Sequence, residues 1–168
     1  SLERRKNHIG VVKALEESGL NLEYLIVGKE RRDYDLREEI NDLGMEKSVH
    51  IIGYVTDELL IALLSNSLFY IFPSLDEGTG IPPLEALALG VPVITADIPS
   101  IREHLEDNVI YFNPEDLSDI VQKMNLFYNN NEIREEYKNK GKNFVKRYSW
   151  DNTVNNLHNF LKKLSKDS

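Results

Sequence analysis

A chain of 168 residues, 41% of them hydrophobic, can bury one core of ordinary size and is too short for two. Its net charge of -8 and pI near 5.1 leave no general basic surface, which argues against nucleic acid or an anionic membrane as the main partner. Cysteine is absent, excluding disulfides and thiolate metal sites, and His8, His50, His104 and His158 show no metal-ligand spacing.

The opening residues, Ser1-Leu2-Glu3-Arg4-Arg5, are not a signal peptide, and no apolar run approaches the roughly 20 residues of a membrane span. The expected location is the cytoplasm. Ile9, Val12 and Leu15 keep the spacing of a buried helical face, and the apolar run from Leu22 to Val27 follows as a strand. Asp33-Tyr34-Asp35 spells a D-x-D. Asp35, just ahead of a helix marked by Leu36, Ile40 and Leu43, reads as its N-cap, and Arg31, Arg32 and Arg37 oppose a cation there. A strand from Val49 to Ile52, a helix carrying Leu59, Leu60, Leu63 and Leu64, and a strand from Leu68 to Phe72 come next.

Past Phe72 the chain reads Pro-Ser-Leu-Asp-Glu-Gly-Thr-Gly-Ile-Pro-Pro-Leu-Glu, from Pro73 to Glu85. Gly78 and Gly80 remove side chains that would keep a ligand from the backbone. Pro82 and Pro83 suit a first helical turn. The amides of Thr79, Gly80 and Ile81 then meet whatever lies above the strand's end, together with the positive end of the helix dipole, and a diphosphate is the natural occupant. A carboxylate beside a diphosphate is repelled, so Glu85 suits the two adjacent hydroxyls of a ribose, and Glu77 those of a sugar beyond the second phosphate. Taken alone, Glu85 could merely complement the dipole and Glu77 be an exposed loop acid.

Strands from Val91 to Thr95 and from Val109 to Phe112 close the alternation. His104, with no sequence partner, reads as a surface histidine. Beyond Pro114 the pattern is helical. Leu117, Ile120, Val121, Met124 and Phe127 form one stripe, Ile133, Tyr137, Phe144 and Val145 a second, and Asn129 to Asn131 is the turn between them. Ser149 is a fitting N-cap for a last helix, with Trp150, Val154, Leu157, Leu161 and Leu164 on one face. The series predicts an α/β fold: a Rossmann-like, doubly wound parallel sheet with a helical C-terminal segment, residues 1–168 forming one domain. Such a sheet usually opens on a strand, and this chain opens on a helix. An opening strand is therefore expected upstream, or the segment is one part of something larger.

The string from Pro73 to Thr95, P-S-L-D-E-G-T-G-I-P-P-L-E-A-L-A-L-G-V-P-V-I-T, closely resembles the E-x7-E region of group 1 glycosyltransferases, the large retaining family with the two-domain GT-B fold. Arg5-Lys6-Asn7 resembles that family's R-K-N, Leu25-Ile26-Val27-Gly28 its second strand, Val49 to Val55 its strand and base-binding loop, and Tyr148-Ser149-Trp150 the start of its closing helix. The resemblance covers essentially the whole chain. It implies the C-terminal, donor-binding half of an enzyme that moves a sugar from a UDP-sugar or GDP-sugar to a glycan or lipid-linked acceptor, with no metal.

By the same resemblance Glu77 contacts the donor sugar, Glu85 the ribose, the Gly80 and Ile81 amides the diphosphate, and Lys6, with Arg5 beside it, the phosphates. Glu77 and Lys6 are the expected catalytic residues. Gly28, Tyr54, Val55, Gly78 and Thr79 complete the expected donor site, Tyr54 and Val55 by position at the base. Thr79 stands where the family often has an aromatic, and a family arginine upstream of R-K-N lies beyond residue 1. The expected partners are the donor, an N-terminal acceptor-binding domain and the acceptor, with contact to the inner membrane face through that further domain. This half alone is expected to bind donor without transferring it efficiently. The rival reading is a non-catalytic Rossmann-like binding or scaffold domain; a receiver domain fits less well, since no acidic cluster follows Val27 or Ile52.

Overall fold

The structure, a computed structural model, describes residues 2–29 and 34–164, apart from the side chains at 150 and 156. Strands and helices alternate: α1 (His8–Ser18), β1 (Tyr24–Val27), α2 (Leu36–Asp42), β2 (Val49–Gly53), α3 (Asp57–Ser65), β3 (Tyr70–Phe72), α4 (Ile81–Ala88), β4 (Val93–Ala96), α5 (Pro99–Leu105) and β5 (Ile110–Phe112). Then come α6 (Leu117–Asn129), α7 (Asn131–Phe144) and α8 (Trp150–Leu164). Both predicted caps hold: Asp35 accepts from the Arg37 and Glu38 N–H groups and Ser149 Oγ from the Asn152 N–H, while Asn130, inside the predicted turn, proves to open α7 by accepting from the Ile133 N–H.

Every pairing among the described strands is parallel, as the β-α-β alternation requires. They form two sheets, however, β1-β2 and β3-β4-β5, where the alternation predicts one. The central strand β4 is buried at all four residues, which is why it reads as an unbroken run without alternation. Around it Leu87, Ile101, Leu105, Phe112 and Phe127 are almost fully buried. Phe127 of α6 sits between the rings of Phe69 and Tyr137, and truncating such a side chain costs about 3–5 kcal/mol.

Two helices depart from their predicted burial. In α3 no residue is fully buried and Leu59 is 46% exposed, with Leu64 alone of its four leucines packed against the buried core. In α8, Val154, Leu157, Leu161 and Leu164 are all more than half exposed. α5, which the apolar spacing did not mark, is a short helix opened by Pro99, with Ile101 and Leu105 buried. His104 lies half-buried in its last turn, its carbonyl accepting from the Tyr148 hydroxyl.

Candidate functional site

All the predicted site residues collect along the carboxyl edge of the strands, where open α/β sheets bind ligands. Backbone hydrogen bonds lace this edge together. The Gly28 N–H donates to the Gly53 carbonyl at 2.9 Å, tying the end of β1 to the end of β2 just before Tyr54. The Leu2 N–H donates to the Lys29 carbonyl at 2.9 Å, and the Leu75 N–H, past the end of β3, donates to the Arg5 carbonyl at 2.8 Å. The opening residues therefore lie across both sheets.

This crossing delivers Arg5 and Lys6 to the turn after β3. They form a short 3-10 turn with Arg4, ended by Asn7 in the left-handed region, φ 49°, ψ 34°. The Asn7 amide donates to the Pro114 carbonyl at 3.1 Å, fixing the bend. Lys6 Nζ meets Glu77 Oε1 directly, with side chains only 19% and 13% exposed. Arg5 lies 3.5 Å from the same oxygen and donates to the Asp76 carbonyl at 3.1 Å. Burial pushes the Glu77 carboxyl up, but Lys6, the Ser74 hydroxyl and the Arg5 charge more than offset it and hold the group below the usual carboxylate range. Ser74 Oγ is fully buried beside this carboxylate and makes no well-formed hydrogen bond.

Gly80 occupies the left-handed region, φ 69°, as the residue before α4, and a Cβ there would fall 2.2 Å from Ile101 Cδ1. Fold and conformation both demand glycine. Gly78 differs: a Cβ would meet nothing within 4 Å, so the protein's own packing leaves its smallness unexplained. Pro82 and Pro83, at the second and third helical positions, have no N–H to offer. The free donors of the α4 start are thereby concentrated on Gly80 and Ile81. Glu85, one turn on, is exposed and makes no ion pair among the described residues. Together with Glu77 it adds negative charge near Tyr70, whose hydroxyl is pushed up chiefly by burial.

Lys6, Arg5 and Glu77 therefore touch, the α4 amides and Glu85 sit on the next element, and Gly28, Tyr54 and Val55 lie farther along the edge, at β1 and β2. Tyr54 is 86% exposed and takes no part in the buried core. Thr79 is likewise exposed, and Ile81 is 59% exposed. Asn7 and Ser74 had no role assigned from sequence, although both stand inside the quoted motifs; only their backbone setting shows what they do. Asp33 of the D-x-D lies outside the described residues. Among the described residues no cluster of three or more His, Asp or Glu side chains is placed to hold a metal.

An α/β domain with two cations, converging helix amides and two carboxylates at its carboxyl edge is of the class that holds anionic, hydroxyl-bearing ligands there. The sequence profile described as Glycosyl transferases group 1 matches residues 1–144, and the chain belongs to that family. It is 34% identical over 139 residues to the O-antigen chain mannosyltransferase RfbU of Salmonella typhimurium, covering 82% of this chain and 38% of that protein. It is 27% identical over 169 residues to O-antigen chain mannosyltransferase B of Escherichia coli, covering 98% of this chain and 44% of the other. It thus spans less than half the length of either relative. The fold recurs in a glycosyltransferase from Rickettsia africae, with TM-score 0.86, 21% identity, and coverage of 98% of this chain and 46% of that one. It recurs also in Anabaena HepE, solved in complex with UDP and glucose, with TM-score 0.84, 20% identity and the same coverages. No described helix is long and apolar enough to cross a membrane.

Proposed function

We propose that this chain is the donor-binding part of a retaining glycosyltransferase that takes a hexose, with mannose the first candidate, from a nucleoside diphosphate to an acceptor hydroxyl of a glycan or lipid-linked glycan. The observation that carries the reading is the contact of Lys6 with Glu77 beside the start of α4: a cation for the phosphates and a carboxylate for the sugar stand side by side. The names of the mannosyltransferase relatives support the sugar, and the UDP and glucose bound by HepE support the ligand class.

The anomeric carbon–phosphate oxygen bond breaks while the acceptor oxygen bonds to the same face of that carbon. The acceptor's proton passes to the departing diphosphate oxygen. Lys6, Arg5 and the Gly80 and Ile81 amides stabilise the charge that grows on the diphosphate; Glu77 orients the sugar and Glu85 the ribose. No metal is required, since Lys6 and Arg5 supply the positive charge. The acceptor is held by a further domain, and the reaction takes place in the cytoplasm, close to the membrane face.

Thermal unfolding against UDP, GDP, ADP and the matching sugar nucleotides, each with and without a divalent cation, tests the proposal. Ligand at about 100 times its Kd adds about 2.7 kcal/mol of stability, a rise of roughly 5–11 °C for a domain of this size. Stabilisation by a sugar nucleotide without metal supports it. Failure of every nucleotide to stabilise refutes it in favour of a scaffold domain.

A further inference from the structure

Among the described residues, Ser74 and Thr95 are the polar side chains that the fold buries completely. Thr95 Oγ1, on β4, donates to the Phe72 carbonyl at 3.1 Å and is satisfied. Ser74 Oγ has no such partner, and a buried hydroxyl without one is costly enough to call for a reason. Unlike Thr95 it stands in the site, two residues beyond the end of β3 and beside the Glu77 carboxylate. Its backbone is fixed there, because the N–H of the next residue, Leu75, donates to the Arg5 carbonyl at 2.8 Å.

The carboxylate beside it is held through one oxygen. Lys6 Nζ and Arg5 both address Glu77 Oε1, Arg5 from 3.5 Å, so neither cation covers Oε2. Lys6 has the closer grip, since Arg5 also donates to the Glu3 carboxylate and to the Asp76 carbonyl. Lys6 Nζ lies in addition 5.5 Å over the Phe72 ring, a weak second hold on the ammonium. The Glu77 side chain is only 13% exposed, so water does little to replace a partner that it loses.

Under the proposed function Lys6 serves the diphosphate. Donor binding then moves the ammonium off Oε1 and brings anionic phosphates close, and both changes disfavour an ionised carboxyl at Glu77. A protonated Glu77 loses the charge that makes it a strong acceptor for sugar hydroxyls. The charged and titratable groups around it are Lys6 and Arg5 from the opening turn, and the Tyr70 hydroxyl of β3, which burial keeps neutral. Once Lys6 is drawn away, Arg5 is the cation that remains, at 3.5 Å and with other bonds to keep. A hydroxyl hydrogen turns freely about its C–O bond, and Ser74 is the neighbouring donor with no other commitment.

We propose that Ser74 is a positioning residue, whose hydroxyl takes up the Glu77 carboxylate as Lys6 passes to the diphosphate. The exchange keeps Glu77 ionised and aimed at the sugar while the cation is used elsewhere. It also accounts for a hydroxyl buried here without a bond: as long as Lys6 grips Glu77 the hydroxyl is idle, and its bond forms only when Lys6 moves. The exchange rests on the proposed function through the role of Lys6.

The test compares the unaltered chain with Ser74→Ala, Glu77→Ala and the double variant, by calorimetry with UDP, GDP, UDP-glucose and GDP-mannose and by urea denaturation. Removing an idle hydroxyl leaves the urea midpoint of Ser74→Ala unchanged or raised. Its affinity for the nucleotides that bind the unaltered chain falls about tenfold, the scale of a hydrogen bond to a charged group. That loss disappears when Glu77 is already alanine. Carbon-13 NMR of the glutamate carboxyls supplies a readout that packing alone does not move: Ser74→Ala raises the Glu77 titration midpoint further with nucleotide bound than without. Unchanged affinity in Ser74→Ala, with nucleotide still bound by the unaltered chain, overturns the inference and leaves the proposed function standing. An equal loss of affinity with and without Glu77, or an equal rise of the midpoint with and without nucleotide, also overturns it and makes Ser74 a packing residue. If no nucleotide binds the unaltered chain, the proposed function fails and the inference fails with it.

Discussion

Replacing Glu77 with glutamine tests the division of labour at the centre of the site. Lys6 is held by the Glu77 carboxylate, and a bound diphosphate must draw the ammonium away from it or share it. A hydrogen bond to a charged group is worth about 1.5–3 kcal/mol, and with both side chains mostly buried the lower figure is a fair minimum for what binding gives up. Glu77→Gln removes that competition, and removes the repulsion between the carboxylate and the phosphates. Bare nucleoside diphosphate is therefore expected to bind about tenfold tighter, about 1.4 kcal/mol. The sugar nucleotide gains less because it loses the carboxylate that accepts from its hydroxyls, so the preference for sugar nucleotide over bare diphosphate collapses. Isothermal titration calorimetry at pH 7.5 and fixed ionic strength measures both, Glu77 being ionised there because its pKa is lowered. Unchanged or weaker binding of bare diphosphate would refute the reasoning, for Lys6 would then not be the phosphate cation.

Glu85→Ala is expected to weaken nucleotide diphosphate binding by about tenfold to a hundredfold, the loss of charge-assisted hydrogen bonds to the ribose, with unfolding unchanged; equal affinity by calorimetry removes the ribose assignment. Gly80→Ala should destabilise by about 2 kcal/mol, through the positive φ and the collision with Ile101, whereas Gly78→Ala should stay within about 0.5 kcal/mol and yet weaken donor binding. Urea denaturation and calorimetry separate the two. His8, whose Nδ1 lies 2.8 Å from the Tyr24 hydroxyl, has a pKa pushed down to about 4, chiefly by burial. As pH falls from about 6.5 the unfolded chain takes up this proton before the folded one, so His8 contributes a loss of up to about 3 kcal/mol between pH 6.5 and 4, with nothing lost from it above that window. His8→Gln should flatten urea midpoints across those pH values, and an unaltered slope would contradict the burial of the ring.

Much of this was legible from local chemistry. Asp35 and Ser149 cap their helices because a short polar side chain ahead of an apolar periodicity has little else to bond. The turn from Pro73 to Glu85 could be read because proline, glycine and carboxylate each act on their nearest neighbours. Strand ends were read less well: Leu22 and Leu68 belong to apolar runs, yet β1 and β3 begin only at Tyr24 and Tyr70, since pairing, and not hydrophobicity, defines a strand.

The sequence by itself determined the alternation of strands and helices, the strand-turn-helix motif and the family, all properties of residues within a few positions of one another or of a pattern along the chain. Only the tertiary structure decided that Lys6 grips Glu77 across 71 positions, that the Asn7 amide donates to the Pro114 carbonyl, that Ser74 is buried beside the carboxylate, that Val154, Leu157 and Leu161 of α8 stay more than half exposed, and that the strands fall into two sheets. These depend on which edges and faces meet. Periodicity shows that a face is apolar, but not what comes to lie against it.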